Sequence, residues 1–323
     1  MSKYIHDLPA AAGIEAQQWQ PHIRQRHKKM RAHILALGDV GMTMLLGLRL
    51  LGGDVISSIG ICDLDEKNLA RLEMEINQVR YPFGEVSLPP VDIVTEKELF
   101  ACDVFIFCAS KGVPPVGAGG DVRMAQLEAN RELIGHFAAL AAAASYDGLV
   151  CVVSDPVDPL CAAFLDASQL SPTQIQGYGL GVMHARACYY AEREREFGAY
   201  LTDGRAFGPH GRDLVLVNSL EHYDDVLSRR LTELVVAANV AVRDLGYKPY
   251  IAPALSSAAI SIVLTLRGAW HYGSVYLGNE REGAFFGLKN RLTSDGFRYE
   301  DIAAAEPLFA RLQQAYAQLC EFR

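Results

Sequence analysis

The stretch AHILALGDVGMTMLLGLRL, residues 32–50, decides how this chain folds. It opens with a short apolar run, passes through Gly38 and Gly41, and continues as an apolar helical pattern. A strand that runs through glycines into a helix is where a dinucleotide pyrophosphate meets a helix N-terminus, because glycines let the backbone come close. Gly38, Asp39, Val40 and Gly41 are therefore candidate cofactor-binding residues. The first glycine of G-x-G-x-x-G is Ala36 here, so the motif reads A-x-G-x-x-G and is weak alone. The next apolar run ends in ICDLD, which puts Asp63 about 25 residues after Gly38, where a carboxylate grips ribose hydroxyls. An acid there favours NAD over NADP by repelling a 2′-phosphate. The competing reading makes Asp63 the N-cap of a helix over 65–79.

Outward from this stretch, apolar runs alternate with helical patterns up to about residue 165. Strands are expected at 32–37, 55–62, 103–110 and 149–154, and helices at 40–52, 66–79 and 121–145. Continuous apolar strands separated by helices read as βαβ units around a parallel sheet covered on both faces. The second half changes character. Helices are expected at 183–197, 224–245, 252–268 and 300–322, with extended segments around His210 and in GSVYLG and AFFGLKNRLT. The expected division is an N-terminal extension over 1–30, a dinucleotide-binding domain over 31–160 and a substrate domain over 161–323.

A chain of 323 residues with 50% hydrophobic content can bury a large core. The formal charge of −8 and an isoelectric point near 5.6 argue against a nucleic-acid partner. One basic cluster, PHIRQRHKKMRAH (21–33), reads as a solvated lead-in. The first twenty residues lack a secretory pattern, and no apolar run reaches membrane-spanning length. The seven cysteines, Cys62, Cys102, Cys108 and Cys151 among them, are odd in number and scattered. That suits reduced thiols in a cytoplasmic protein, and no spacing suggests a metal site.

Past the boundary, FGPHGRD (207–213) sets His210 between two glycines, with Pro209 fixing the backbone before it. GDVGMTMLLGLRL, ICDLDEKNLA, DVFIFCAS, RMAQLEANRELI, VVSDPVDPL, VMHARACYYAER and FGPHGRD, in that order, resemble the lactate/malate dehydrogenase family from about residue 31 to 290. The resemblance implies an α/β fold: a Rossmann-type doubly wound parallel sheet plus a C-terminal mixed α+β substrate domain. It also implies NAD as cofactor, with Ala109, Ser110 and Asn130 beside it, and a homodimer or homotetramer. His210 matches the histidine that exchanges a proton with substrate, and Arg186 the arginine that holds the substrate carboxylate. Arg123 matches a mobile-loop arginine that polarises the substrate carbonyl. The stretch 110–120 would be the lid, and Ser256 a small wall of the substrate pocket.

The departures from the family are as informative. The aspartate that orients the catalytic histidine is replaced by Met183, with His184 one residue further round the helix. The family's asparagine before Pro-Val-Asp is Asp155, which as a carboxylate accepts hydrogen bonds but donates none. Asp155 either pairs with His210 or His184, faces a substrate nitrogen, or caps the helix starting near Pro156. The first reading is preferred. The lid positions 115–117 carry no cation for a second substrate carboxylate, which disfavours oxaloacetate.

The function expected is NAD-dependent hydride transfer with a 2-hydroxy/2-oxo acid that is neither lactate nor malate. The alternatives are an imine or amino-acid reductase and a catalytically impaired NAD sensor. A metal-using glycosidase branch, which would recruit Cys188 and His184, ranks last because its C-N-x-P signature is missing.

Overall fold

The computed structural model describes residues 3–20, 29–83, 86–111 and 122–322. The basic residues 21–28, and residues 112–121, which include most of the lid expected over 110–120, lie outside them. Strands β1 (Met30–Leu35), β2 (Ile56–Cys62), β3 (Val91–Ile93), β4 (Val104–Phe107), β5 (Leu149–Val152) and β6 (Ile175–Gly177) lie parallel in the order β3-β2-β1-β4-β5-β6. An antiparallel meander of β7 (His271–Gly278), β8 (Gly283–Thr293) and β9 (Gly296–Tyr299) extends the same sheet beyond β6. The sheet thus crosses residue 160 without a break. Strands β3 and β6 were not read from sequence: at three residues each, they are too short to show an apolar pattern.

Helices cover both faces. On one side α1 (Asp39–Leu51) and α2 (Glu66–Asn77) bury Met44, Leu45, Leu48, Leu69 and Leu72 against β1 and β2. On the other, α3 (Val122–Ala143) and α4 (Val157–Ser168) pack Ile134, Phe137, Leu160 and Phe164 against Phe105 and Phe107. Two-sided burial explains why β4, VFIF, and β5, LVCV, are apolar throughout and buried at every position. The strand order reverses between β1 and β4, so their carboxyl ends open a crevice where ligands bind in sheets of this type.

Beyond β6 come α5 (Leu180–Ala191), α6 (Asp225–Asp244), α7 (Ile260–Leu266) and α8 (Glu306–Cys320). The helix expected over 252–268 opens instead as a π-helix over Pro253–Ala259 before α7. Side chains hold that wider turn in place. Ser257 Oγ donates to Gly179 O at 2.7 Å and accepts from Val182 N at 2.8 Å, while Ser261 Oγ donates to Ser256 O at 2.8 Å. Of the extended segments expected around His210, Arg205–Phe207 is a strand, and residues 200–203 ahead of it form a helical turn.

The N-terminal extension belongs to the distal end of the molecule. Lys3–Tyr4 pairs with Ala303–Ala304, and Ile5, Leu8 and Ile14 are buried beside Phe309, Leu312 and Tyr316 of α8. All seven cysteines are free thiols. Among the described residues no helix is long and apolar enough to cross a membrane.

Candidate active site

The loop between β1 and α1 retains the geometry of a glycine-rich turn despite Ala36. Ala36 adopts φ +74°, a left-handed conformation that a glycine takes without penalty. Gly41 is required: a Cβ there would sit 2.1 Å from Ala36 O. Gly38 caps α1, and a Cβ on it would meet nothing within 4 Å, so open space lies at the helix N-terminus. Asp39, in the first turn, pairs with Lys248 at 2.8 Å, which offsets its charge. A close-packed turn opening on free space at a helix N-terminus fits a dinucleotide phosphate.

Asp63 accepts from Leu37 N at 2.5 Å and from Asp65 N at 3.0 Å, so it braces the same turn. The N-cap role belongs to Asp65, which accepts from Lys67 N and Asn68 N at 3.1 Å. A carboxylate has about four acceptor positions, and these two bonds leave capacity for ribose hydroxyls.

Across the crevice, Asn130 is fully buried and joins the two ends of the site. Its Oδ1 accepts from Lys111 N at 2.7 Å, and its Nδ2 donates to Asp155 O at 2.9 Å and Ser110 Oγ at 3.2 Å. Both amide hydrogens are engaged inside the protein. Asn130 thereby fixes Ser110 and the Asp155 turn. Ser154, which sequence reasoning missed, fixes the neighbouring chain by donating to Ala109 O at 2.7 Å.

His210 sits in the loop joining Arg205–Phe207 to Val215–Val217. The loop is anchored to the sheet through Gly208 N, which donates to Gly287 O at 2.9 Å. Gly179, also missed, makes room for the imidazole, because a Cβ at that position would lie 3.0 Å from His210 Cβ. Asp155 Oδ1 lies 3.1 Å from His210 Nδ1, with the imidazole 23% exposed and the carboxylate 52% exposed. Of the partners considered for Asp155, the structure brings it to His210. The helix-capping reading does not hold, since Pro156 is the N-cap of α4 and no side chain caps it. Burial lowers the proton affinity of His210, but the charge and hydrogen bond of Asp155 outweigh it, and the net shift is upward. Arg186 opposes that rise and the charge of Asp158 supports it.

Met183 is 3% exposed, and its sulfur lies 3.8 Å from Arg186 Nη1. The α5 side chain three residues before Arg186 is thus apolar and packed, and the carboxylate that reaches His210 comes from the β5–α4 turn. Arg186 itself is partly buried, and burial lowers its proton affinity. Among the described residues it has no ion-pair partner; Glu192, the expected competitor, lies 3.6 Å from Arg193. A partly buried guanidinium beside a histidine–aspartate pair has the charge and geometry to receive an anion.

The remaining candidates lie apart. His184 donates to or accepts from Tyr200 Oη at 3.0 Å and touches Cys188 Sγ at 3.7 Å; burial pulls its pKa down to about 4, so the ring is neutral. Ser256 lines a cavity of about 430 Å³ together with His184, Arg205 and Lys289, and none of Asp155, Arg186 or His210 lines it. Arg123 is on the first turn of α3, and its side chain lies outside the described residues. No group of three or more metal-ligating side chains occurs among the described residues.

No protein-family model matches the chain. The L-lactate dehydrogenase of Corynebacterium glutamicum strain R is 25% identical over 202 residues, 61% of either chain. That of Treponema denticola is 28% identical over 184 residues, 57% of this chain and 56% of its own. The chain thus spans less than two thirds of the curated relatives it matches. Malate dehydrogenase from Archaeoglobus fulgidus, solved in complex with NADH, shares the fold at a TM-score of 0.76 and 18% identity, over 91% of this chain and 98% of that one. Ordered motifs, sequence relatives and fold agree in their likeness to the lactate/malate dehydrogenases, at low identity, and the fold is the one those enzymes share.

Proposed function

We propose that the protein is an NAD-dependent oxidoreductase acting on a 2-oxo/2-hydroxy acid that is neither pyruvate/lactate nor oxaloacetate/malate. The observation that carries this reading is the Asp155–His210 pair at 3.1 Å, with the guanidinium of Arg186, which has no ion-pair partner among the described residues, in its field. Gly38 and Gly41 would take the pyrophosphate at the start of α1, and Asp63 the ribose hydroxyls. The cofactor supplies the hydride acceptor or donor.

The chain's own residues manage charge and protons. Arg186 holds the substrate carboxylate by two charged hydrogen bonds. His210 Nδ1 donates to Asp155, which fixes the tautomer and leaves Nε2 to give a proton to the C2 oxygen in reduction or take it in oxidation. Asp155 stabilises the imidazolium formed in oxidation, the task of an orienting aspartate in other histidine-based sites. With Asp155 committed to His210, the imine reading loses the observation that motivated it.

The experiment is a panel of 2-oxo acids of graded side-chain size, followed by NADH oxidation, with cyclic imines alongside. Turnover of at least one acid above pyruvate and oxaloacetate supports the reading. NADH binding without turnover of any panel member would point to a sensor instead.

A further inference from the structure

The π-helix over Pro253–Ala259 reaches the active site through one side chain. α5 begins on Gly179, an N-cap without a side chain, so its first-turn N–H groups have no acceptor supplied locally. Ser257 supplies one from 75 residues away: its Oγ accepts from Val182 N at 2.8 Å and donates its own proton to Gly179 O at 2.7 Å. The two backbones also touch. A Cβ on Gly181 would sit 2.5 Å from Ser256 O and 3.0 Å from Ser257 Cα, so only glycine lets α5 lie this close to the π-helix. Gly179 is the surface on which His210 rests: a Cβ there would lie 3.0 Å from His210 Cβ and 3.3 Å from His210 Cγ. Two neighbours therefore fix the histidine, this backbone against its Cβ and Asp155 Oδ1 at 3.1 Å from its Nδ1.

We propose that Ser257 is a positioning residue: by capping α5 and fixing Gly179, it holds the His210 imidazole on Asp155. The inference rests on the reading of His210 as the group that exchanges a proton, and Ser257 acts on it only through the Gly179 backbone. Gly179 and Val182 are buried, so loss of the hydroxyl leaves a carbonyl and an N–H without partners. The turn then relaxes to find others, and the histidine moves with it. The charges acting on the ring are those of Asp155, Asp158 and Arg186, and Ser257→Ala changes none of them.

The test uses the full-length protein without substrate or cofactor. Histidine NMR follows the His210 ring through a pH titration, with His210→Gln assigning the signal, and amide hydrogen exchange follows Val182. In Ser257→Ala the Val182 amide should exchange roughly 10-fold faster, the weight of one hydrogen bond. The His210 midpoint should fall toward the ordinary histidine value, because Asp155 is what carries it above that value and the contact loosens. Ser257→Cys, of similar shape with a weaker donor, should lie between Ser257→Ala and wild type, and carries the test alone should Ser257→Ala not fold. Tyr316→Phe removes another buried hydroxyl, which donates to Leu277 O at 2.7 Å from α8, and should move neither reading. A His210 midpoint equal to wild type in the Ser257 variants would reduce Ser257 to a helix cap and overturn the inference; so would an equal fall in Tyr316→Phe. A protein that turns over no 2-oxo acid can still show the shift, so failure here is distinct from failure of the proposed activity.

Discussion

Asp155 Oδ1 and His210 Nδ1 lie 3.1 Å apart, joining the turn after β5 to the loop after Arg205–Phe207. Met183, on α5, is buried beside Arg186 and offers the histidine no carboxylate. The carboxylate that His210 meets comes from the β5–α4 turn.

Asp155→Asn tests whether the contact does chemistry. An amide cannot stabilise the imidazolium and can favour the wrong tautomer, so kcat/KM should fall about 10²–10⁴-fold. The pH profile should move as well. Reduction needs His210 protonated, so its rate falls as pH rises through the raised pKa of His210. Without Asp155, burial and Arg186 are opposed only by Asp158, and the falling limb shifts to lower pH. Steady-state rates with the best 2-oxo acid between pH 5 and pH 9 read both effects; an unmoved limb argues that the pair is structural.

Arg186 separates binding from stability. Arg186→Lys retains the charge and loses the planar fork, which should lower kcat/KM by at least ~100-fold, the weight of two charge-assisted hydrogen bonds at about 1.5–3 kcal/mol each. Arg186→Met removes a partly buried cation with no carboxylate among the described residues. It should therefore unfold at the same temperature as wild type or higher. Thermal unfolding in the absence of ligand decides it: a clear loss of Tm would mean the guanidinium holds the fold.

Much of this was legible because the relevant signals are local. A glycine-bearing turn after an apolar run announced the β1–α1 unit, and the order of short motifs located His210, Arg186 and Asp155. Other features were hidden for a physical reason. Strands β3 and β6 have three residues each and take their identity from the sheet around them. The π-helix at Pro253–Ala259 depends on Ser257 reaching Gly179, far off in sequence. Asp158 stands in the quoted SDPVD, yet its importance lies in burial, which a first-turn acid does not advertise. The engagement of the Asn130 amide by Lys111, Ser110 and Asp155 is visible only in the coordinates, because its partners lie 19 to 25 residues away.

The β1–α1 turn gives two opposite expectations from neighbouring positions. Ala36 sits at φ +74°, so Ala36→Gly should relieve about 1 kcal/mol and raise Tm by ~2 °C, less the chain entropy glycine adds. Gly41→Ala places a methyl 2.1 Å from Ala36 O, so α1 must shift and dinucleotide affinity should collapse. Calorimetric titration with NADH, paired with melting curves, tests both. Tight NADH binding by Gly41→Ala would remove the turn from the cofactor site.

Asp158 makes a stability prediction of definite sign. Its proton affinity rises on folding, from the usual carboxylate range to about 7, so between those limits the folded protein binds more protons than the unfolded chain. Its favourable contribution is complete at low pH and is lost as pH rises through about 7, with an upper bound of ~4 kcal/mol. His184 and His271 act in the opposite sense: burial lowers each to about 4, so the unfolded chain binds more protons and stability grows as pH rises from there to the usual histidine range. Wild-type Tm alone therefore mixes opposing slopes. The difference between Asp158→Asn and wild type cancels His184 and His271 and leaves Asp158 together with the smaller part of the His210 rise that its charge supports. That difference should be near zero at pH 4, where the native group is itself a neutral acid, and should favour the variant increasingly up to pH 8. A variant destabilised equally at both ends would show that the carboxyl is valued for its shape and packing, and that its ionisation plays no part.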